Sequence, residues 1–398
     1  EIHFLASNLQ IITGMCFADK QKICVTGANG FLASHIIAQC LAKGYNVRGT
    51  VRNAHDTRRT QHLMELDGAS ERLELVSAKM CRENTIGFRE AFVGCDAVIH
   101  TASPGTRLSM SSDDVHAAVF GTLAVLRACN AAGVSSVVMT SGVCAAMPQL
   151  EPAVRRESDW SDAKEQAQND NKYAASKTLA ELAAWKFVEQ EKPSFRFATI
   201  LPSCIVGPSL SCDLCITNKC LLSLMKYGPA SNTLPDECLS FIDVRDCASH
   251  HIAAMENPAA QGRYFSSAPS LHWNDLIELV EFINPRLPSK KTCRRRSVHG
   301  SYDLTRQTSL GIQIRDVSKI LSEAVSYFKV IGVQEAITFS EEGVLVSAQA
   351  EDEEIRAPKR APRTRYSSYN EFGLPPESSI EISSSRSVRN EFVLKGEA

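Results

Sequence analysis

Several things are scarce in this chain of 398 residues. No run approaches about 18 uninterrupted apolar positions, so the sequence offers no membrane-spanning helix by that measure. An excess of one charge is also missing: 43 Lys and Arg face 45 Asp and Glu, a formal net charge of -2. That balance excludes a globally basic nucleic-acid binder and an acidic solvating chain. The first residues, EIHFLASNLQIITGMCFADK, have no basic stretch ahead of an apolar one and no small-residue cleavage pattern, so they do not read as a secretory signal. Internal repeats are absent. The 14 cysteines are scattered, and Cys16, Cys24, Cys40, Cys81, Cys95, Cys129 and Cys144 sit mostly among apolar neighbours. They read as small buried hydrophobes in a reducing, cytoplasmic setting and not as a disulfide framework.

What is present is alternation. KICVTG, YNVRGTV, RLELVS, CDAVIHTAS, SSVVMTS and RFATILP are six strand candidates. Amphipathic segments at Phe31–Lys43, Thr57–Leu66, Glu83–Phe92, Asp114–Ala132 and Tyr173–Glu191 lie between them. Continuous apolar strands separated by helices predict an α/β fold of Rossmann type, a doubly wound parallel sheet covered on both faces. After Leu201, Pro202, Gly207, Pro208, Gly228, Pro229 and Pro235 loosen the pattern. Short elements follow: helices near Asn218–Tyr227, Val244–Glu256, Trp273–Ile283 and Asp316–Gly332, and a strand at Leu239–Asp243. The organisation expected is an N-terminal extension at 1–21, a dinucleotide-binding domain at 22–201, a smaller substrate lobe at 202–333 interleaved with it, and a tail at 334–398. Residues 1–14, upstream of Met15, read as an extension. Residues 351–398 carry nine acidic residues, eight basic ones and eight serines, a disordered-tail composition.

The first strand runs into Gly27-Ala28-Asn29-Gly30-Phe31-Leu32-Ala33 and a helix. Gly27 permits a tight turn with positive φ, Gly30 lets backbone approach a pyrophosphate, and Ala33 allows close packing of helix on strand. The helix start supplies free N–H groups and the positive end of its dipole to a phosphate. Gly27, Asn29, Gly30, Phe31 and Leu32 are therefore candidate cofactor-binding residues. The second strand ends in Arg52 where an acidic residue would mark an NAD site, with Arg58 and Arg59 close behind. Arginines suit a 2′-phosphate, so NADP(H) is the expected cofactor, and Arg48, inside the strand, is set aside as structural.

Tyr173 and Lys177 lie four apart at the start of a helix and share one face. A tyrosine hydroxyl can protonate a developing alkoxide, and a neighbouring ammonium eases that transfer. The glycine turn, the Arg52 strand end and this pair, with the stretches VTGANGFLASHI, GYNVRGTVRN, GCDAVIHTASP, YAASKTLAELAAWKF, LPSCIVGPSL and FIDVRDCASHHIAAME, resemble the extended short-chain dehydrogenase/reductase family. The branch is that of the dihydroflavonol 4-reductases, cinnamoyl-CoA reductases and ketone or methylglyoxal reductases. The resemblance spans about Lys22 to Gly332. It implies that Arg52 and Arg59 meet the 2′-phosphate, that Thr101, Ala102 and Ser103 lie against the cofactor, that the segment from Pro202 to Ile205 abuts the nicotinamide, and that Lys177 also holds the ribose.

Two departures from the family stand out. Its second serine after the fifth strand, a catalytic one, is Gly142 here. Ser141 is adjacent, but consecutive strand residues point to opposite faces, so it substitutes only if the strand end twists. Losing such a donor costs about 10²–10³ in rate. Lys79 replaces an aspartate near the adenine and cannot accept its hydrogen bond. Met147 and the surroundings of Tyr173 point away from a flavonoid or a CoA thioester and toward an aldehyde, ketone or sterol-like carbonyl.

The expectation is thus an NADP(H)-dependent oxidoreductase acting on a small carbonyl or alcohol, with Tyr173, Lys177 and Ser141 as candidate catalytic residues. It binds neither nucleic acid nor membrane and is a monomer or homodimer. The alternatives are a catalytically degenerate NADP(H)-binding regulatory protein and a nucleotide-sugar epimerase or dehydratase. No metal is expected: Cys212, Cys215 and Cys220 read as lining of the substrate lobe. His250 and His251 read as surface or packing residues, and Asp243, Arg245 and Asp246 as structural pins between the lobes. Lys290, Lys291, Arg294, Arg295 and Arg296 read as a solvated basic loop.

Overall fold

The protein is represented by a computed structural model, which describes residues 21–80, 87–104, 110–148, 154–211, 213–227, 237–283 and 301–330, with two short segments at 381–384 and 390–393. The extension at 1–20, the basic cluster at 290–296 and Cys212 lie outside the described residues.

Seven parallel strands form the main sheet: β1 (Lys22–Thr26), β2 (Asn46–Val51), β3 (Leu73–Ser77), β4 (Ala97–His100), β5 (Ser136–Thr140), β6 (Arg196–Pro202) and β7 (Gly262–Ser266). Their spatial order is β3-β2-β1-β4-β5-β6-β7. The chain therefore leaves β1 first toward one edge and later toward the other. The crevice outside the carboxyl ends of β1 and β4 is the topological switch point, where ligands of such sheets bind.

Strand periodicity decides which core each residue joins. Ile23, Val25, Ala97, Ile99, Val138, Ala198 and Ile200 face helices α1 (Phe31–Ala42) and α5 (Val244–Glu256) in one buried cluster. Cys24, Val98, Val137, Met139 and Phe197 face α2 (Ser112–Ala132) and α3 (Lys172–Glu191) in another. The inner strands are buried on both sides, which is why their sequences read as continuous apolar runs, while the edge strand β3 leaves Glu74 and Ser77 exposed. Gly49 in β2 is required by space: a Cβ there would lie 2.8 Å from Ala28 Cβ and 2.8 Å from Leu75 Cδ2. A third cluster joins α4 (Ile216–Tyr227), α6 (Trp273–Ile283) and α7 (Val317–Val330) through Leu221, Leu276, Val280, Ile320 and Phe328. Arg245 pairs with Asp243 and Glu323, and Arg315 with Asp246, so α7 is tied to the start of α5.

The six expected strands and the principal helices stand within one to three residues of their expected bounds. The seventh strand was not foreseen: it opens on Gly262 at φ +90 and carries a buried Arg263, which together hide the apolar run. The expected strand at 239–243 is two, Cys238–Leu239 and Phe241–Asp243, with different partners. Of the helix expected at 83–92, Phe88–Phe92 is present and residues 81–86 are not described. In the tail, Glu381–Ser384 and Asn390–Val393 pair antiparallel, where no structure was expected. The rest of that expectation lies outside the described residues.

One exclusion needs correcting. Helix α2 is long and apolar enough to cross a membrane, although interrupted by polar residues. Within the protein, 67% of its apolar window is buried, packed on the sheet and on α3.

Candidate active site

The turn after β1 has the backbone that its sequence requires. Gly27 sits at φ +69, and a Cβ there would come within 3.0 Å of Ala102 Cα. Only glycine combines that conformation with that approach. Gly30 caps α1 in extended conformation with no side-chain acceptor, so the first turn of a twelve-residue helix faces the switch point without a protein cap. A Cβ on Gly30 would stand 3.1 Å from the Gly27 carbonyl. This bare cradle fits a pyrophosphate.

Arg52, Arg58 and Arg59 are exposed beyond β2. Arg59 has only a loose ion pair with Asp56, at 3.6 Å. Arg48 is committed elsewhere: its guanidinium donates to Glu74 at 2.8 Å and to the carbonyls of Ala91 and Val93. Lys79 is exposed at the end of the neighbouring strand.

The exit of β4 is fixed by Thr26. Its hydroxyl accepts from Ala102 N at 3.1 Å and meets His100 Nδ1 at 2.8 Å, while the Thr101 hydroxyl donates to the Thr26 carbonyl. His100 is neutral, because the interior disfavours its charged form. Burial, and next the charge of Lys177, hold the His100 pKa down at about 3. Ser103 is exposed one residue further.

Helix α3 starts at Asn171, whose side chain accepts from Ala174 N at 3.2 Å. Tyr173, half-buried, and Lys177, 8% exposed, follow on one face. Lys177 Nζ donates to the Thr140 carbonyl at 3.3 Å. Burial lowers the pKa of this ammonium, with Cys144 and Glu181 acting in the opposite direction. A recess lined by His100, Ala102, Thr140, Ser176 and Lys177 joins this helix to the exits of β4 and β5. A larger cavity of about 270 Å³ lies at the amino ends of the strands, among Ile23, Ala97, Ser136 and Arg196, away from these groups. Volume alone would have misplaced the site. Pro202 closes β6 and is buried, and Ile205 lies in the short strand Cys204–Val206 that follows.

Ser141 has a different partner from the one its expected role requires. Its hydroxyl donates to Glu181 Oε2 at 2.6 Å, and the residue is 3% exposed. The proton that would serve a substrate oxygen is thus engaged in the interior. Gly142 is extended, φ -175 and ψ 156, a conformation open to any residue. A Cβ there would meet Cys144 Sγ at 3.3 Å and the Pro202 carbonyl at 3.9 Å, so a small side chain enters only if the Cys144 side chain gives way slightly.

Four groups at the site escaped sequence reasoning. Glu181 extends the four-residue spacing of Tyr173 and Lys177 by one more turn, and that signal was legible. Arg263 and His100 carried none. His251 was expected at the surface or in packing; it is fully buried, with Nδ1 donating to the Cys247 carbonyl and Nε2 accepting from the Thr140 hydroxyl at 2.8 Å. Burial holds its pKa at about 4. His250 is buried beside Ser266 Oγ, at 2.9 Å.

Known proteins are similar to this chain in sequence and fold. The chain is 36% identical to tetraketide alpha-pyrone reductase 1 of Arabidopsis thaliana, over 77% of this chain and 95% of that protein. It is 36% identical to cinnamoyl-CoA reductase 1 of Oryza sativa subsp. japonica, over 77% of this chain and 90% of that protein. The structure of Gre2 from Candida albicans in complex with NADPH superimposes with a TM-score of 0.68 at 25% identity, covering 78% of this chain and 99% of that one. Residues 23–266, from β1 through the last strand of the sheet, match the model of the NAD dependent epimerase/dehydratase family, and the chain belongs to that family.

Proposed function

We propose that this protein is an NADP(H)-dependent reductase of a small aldehyde or ketone. The observation that carries the reading is the Tyr173–Lys177 face of α3, set beside the recess at the exits of β4 and β5 with Lys177 anchored on Thr140. The bare helix start at Gly30 would hold the pyrophosphate, and Arg52 and Arg59, exposed and lightly paired, would hold a 2′-phosphate. The bound dinucleotide supplies the hydride. Tyr173 then gives its phenolic proton to the carbonyl oxygen, and Lys177 places positive charge beside the phenol and a donor beside the ribose. Buried neutral His100 closes the floor of the recess without adding charge. The reductase names of the relatives and the NADPH complex of Gre2 support the same chemistry.

The test is NADPH oxidation across a panel of aldehydes and ketones, with NADH in parallel. Turnover that favours NADPH and falls at least a hundredfold in Tyr173→Phe is the expected outcome. Tight NADPH binding with no turnover on any carbonyl would retire the reading. It would then favour the degenerate cofactor-binding protein, for which Gly142 and the commitment of Ser141 to Glu181 speak. We further propose that the partner is a small molecule and that the protein works in the cytoplasm as a monomer or homodimer.

A further inference from the structure

Glu181 lies one turn beyond Lys177 on α3 and is fully buried. Its carboxylate accepts from Ser141 Oγ at 2.6 Å, Thr199 Oγ1 at 2.7 Å, and Arg263 Nε at 2.9 Å and Nη2 at 3.1 Å. One side chain of the catalytic helix therefore gathers donors from β6, β7 and the residue that follows β5. Such a concentration needs a reason. A buried ion pair is weak evidence of stability, because its desolvation cost often matches its attraction and apolar packing would serve as well. What it does supply is direction: two carboxylate oxygens and a planar guanidinium fix angles that apolar contact leaves free.

What these angles fix is the exit of β5. Ser141 N is bonded to the Ile200 carbonyl at 2.8 Å, so its backbone is in the sheet, and Glu181 holds its side chain. The preceding residue, Thr140, has its side chain held on the opposite face by His251, and its carbonyl receives Lys177. Arg263 extends the hold past Gly142. Its guanidinium donates to the carbonyls of Ala145, Glu157 and Asp159 and stacks over Trp160 at 3.7 Å.

We propose that Glu181, backed by Arg263, is a positioning residue: through Ser141 it sets the exit of β5 against α3 and so sets where Lys177 and Tyr173 stand. The proposal rests on the reductase reading and deepens it. Gly142 makes the positioning matter more, since no side chain at that residue helps orient the substrate oxygen. A misplacement of about 1 Å at a reacting group can cost about a hundredfold in rate.

The experiment uses the full-length protein with Ser141→Ala, Ser141→Thr, Thr199→Val and Glu181→Gln, each checked for folding by circular dichroism. For each, kcat and KM on the best carbonyl and Kd for NADPH by tryptophan fluorescence are measured. Ser141→Ala is expected to lose about tenfold in kcat with KM for the carbonyl changed less than twofold, and Ser141→Thr to restore most of it. Thr199→Val removes a donor to the same carboxylate from inside β6, far from any substrate contact, and is expected to lose several-fold in kcat. If Thr199→Val is wild-type in kcat while Ser141→Ala is inactive, Ser141 acts directly and the proposal falls. Losses confined to KM would overturn it as well. Should Glu181→Gln not fold, the Ser141 and Thr199 variants carry the comparison. Should the wild type turn over no carbonyl, the reductase reading fails separately. The positioning claim then stands on NADPH binding: a Kd raised at least fivefold in Ser141→Ala and Thr199→Val supports it, and an unchanged Kd refutes it.

Discussion

At the scale of single residues, position 142 is the one where the family resemblance implies a serine and a glycine stands. Its backbone is extended and open to any residue, and a serine Cβ there requires only that Cys144 Sγ, 3.3 Å away, give slightly. Gly142→Ser is expected to raise kcat/KM by about 10²- to 10³-fold, the range that one donor to a developing oxyanion is worth. A change under twofold would mean that another donor already acts. Lys177→Met is expected to abolish turnover and weaken NADPH binding, read by titration, because the lysine is buried with its ammonium on the Thr140 carbonyl. The turn at Gly27 and Gly30 and the shared helix of Tyr173 and Lys177 were legible in the sequence because helix and turn geometry leave periodic marks. Ser141 was not, because its partner is forty positions away and only the folded sheet brings Glu181 to it. For His250 and His251 the sequence left surface and packing open, because a polar residue in an amphipathic helix looks exposed until a second layer covers it; both are buried packing residues.

At the scale of elements, the strands and helices of the nucleotide-binding half were readable because both sheet faces are covered, which writes continuous apolar runs into the sequence. Helix α2 shows how firmly an element can be specified locally. Ser111 accepts from Asp114 N while Asp114 accepts from Ser111 N, a reciprocal cap, and Gly133 ends the helix in left-handed conformation. Ser111→Ala is expected to destabilise the protein by about 1 kcal/mol, seen as a lower urea midpoint with unchanged slope. The substrate lobe was less legible. Its strands are two or three residues long, too short to show a period, and each has a partner distant in sequence.

At the scale of the molecule, stability is linked to acid through buried histidines. His100, His250 and His251 have pKa values pushed down by burial to about 3, 4 and 4 from 6.5. Below pH 6.5 the unfolded chain takes up protons that the folded one refuses, so stability falls as pH drops from about 6.5 toward 4. Each histidine contributes up to about 1.4 kcal/mol per pH unit in that window. Urea midpoints at pH 7 and pH 5 are expected to differ clearly, and His250→Gln to reduce the difference. Equal midpoints would show that the rings are protonated in the folded state. None of this was readable from the near-neutral net charge, which averages over groups that never meet water.

The seventh strand also has a consequence in time. Arg263 joins the sheet sixty-one residues after β6 ends, and until it arrives Glu181 lacks the guanidinium that bonds it. A ribosome that has released the chain only through β6 has made the glycine turn, Tyr173 and Lys177, yet the helix carrying that pair still holds a core-facing carboxylate without its Arg263 partner. Assembly of the reacting groups thus waits on late synthesis, and a nascent chain stalled before residue 263 would present a helix that chaperones can still hold apart from the sheet.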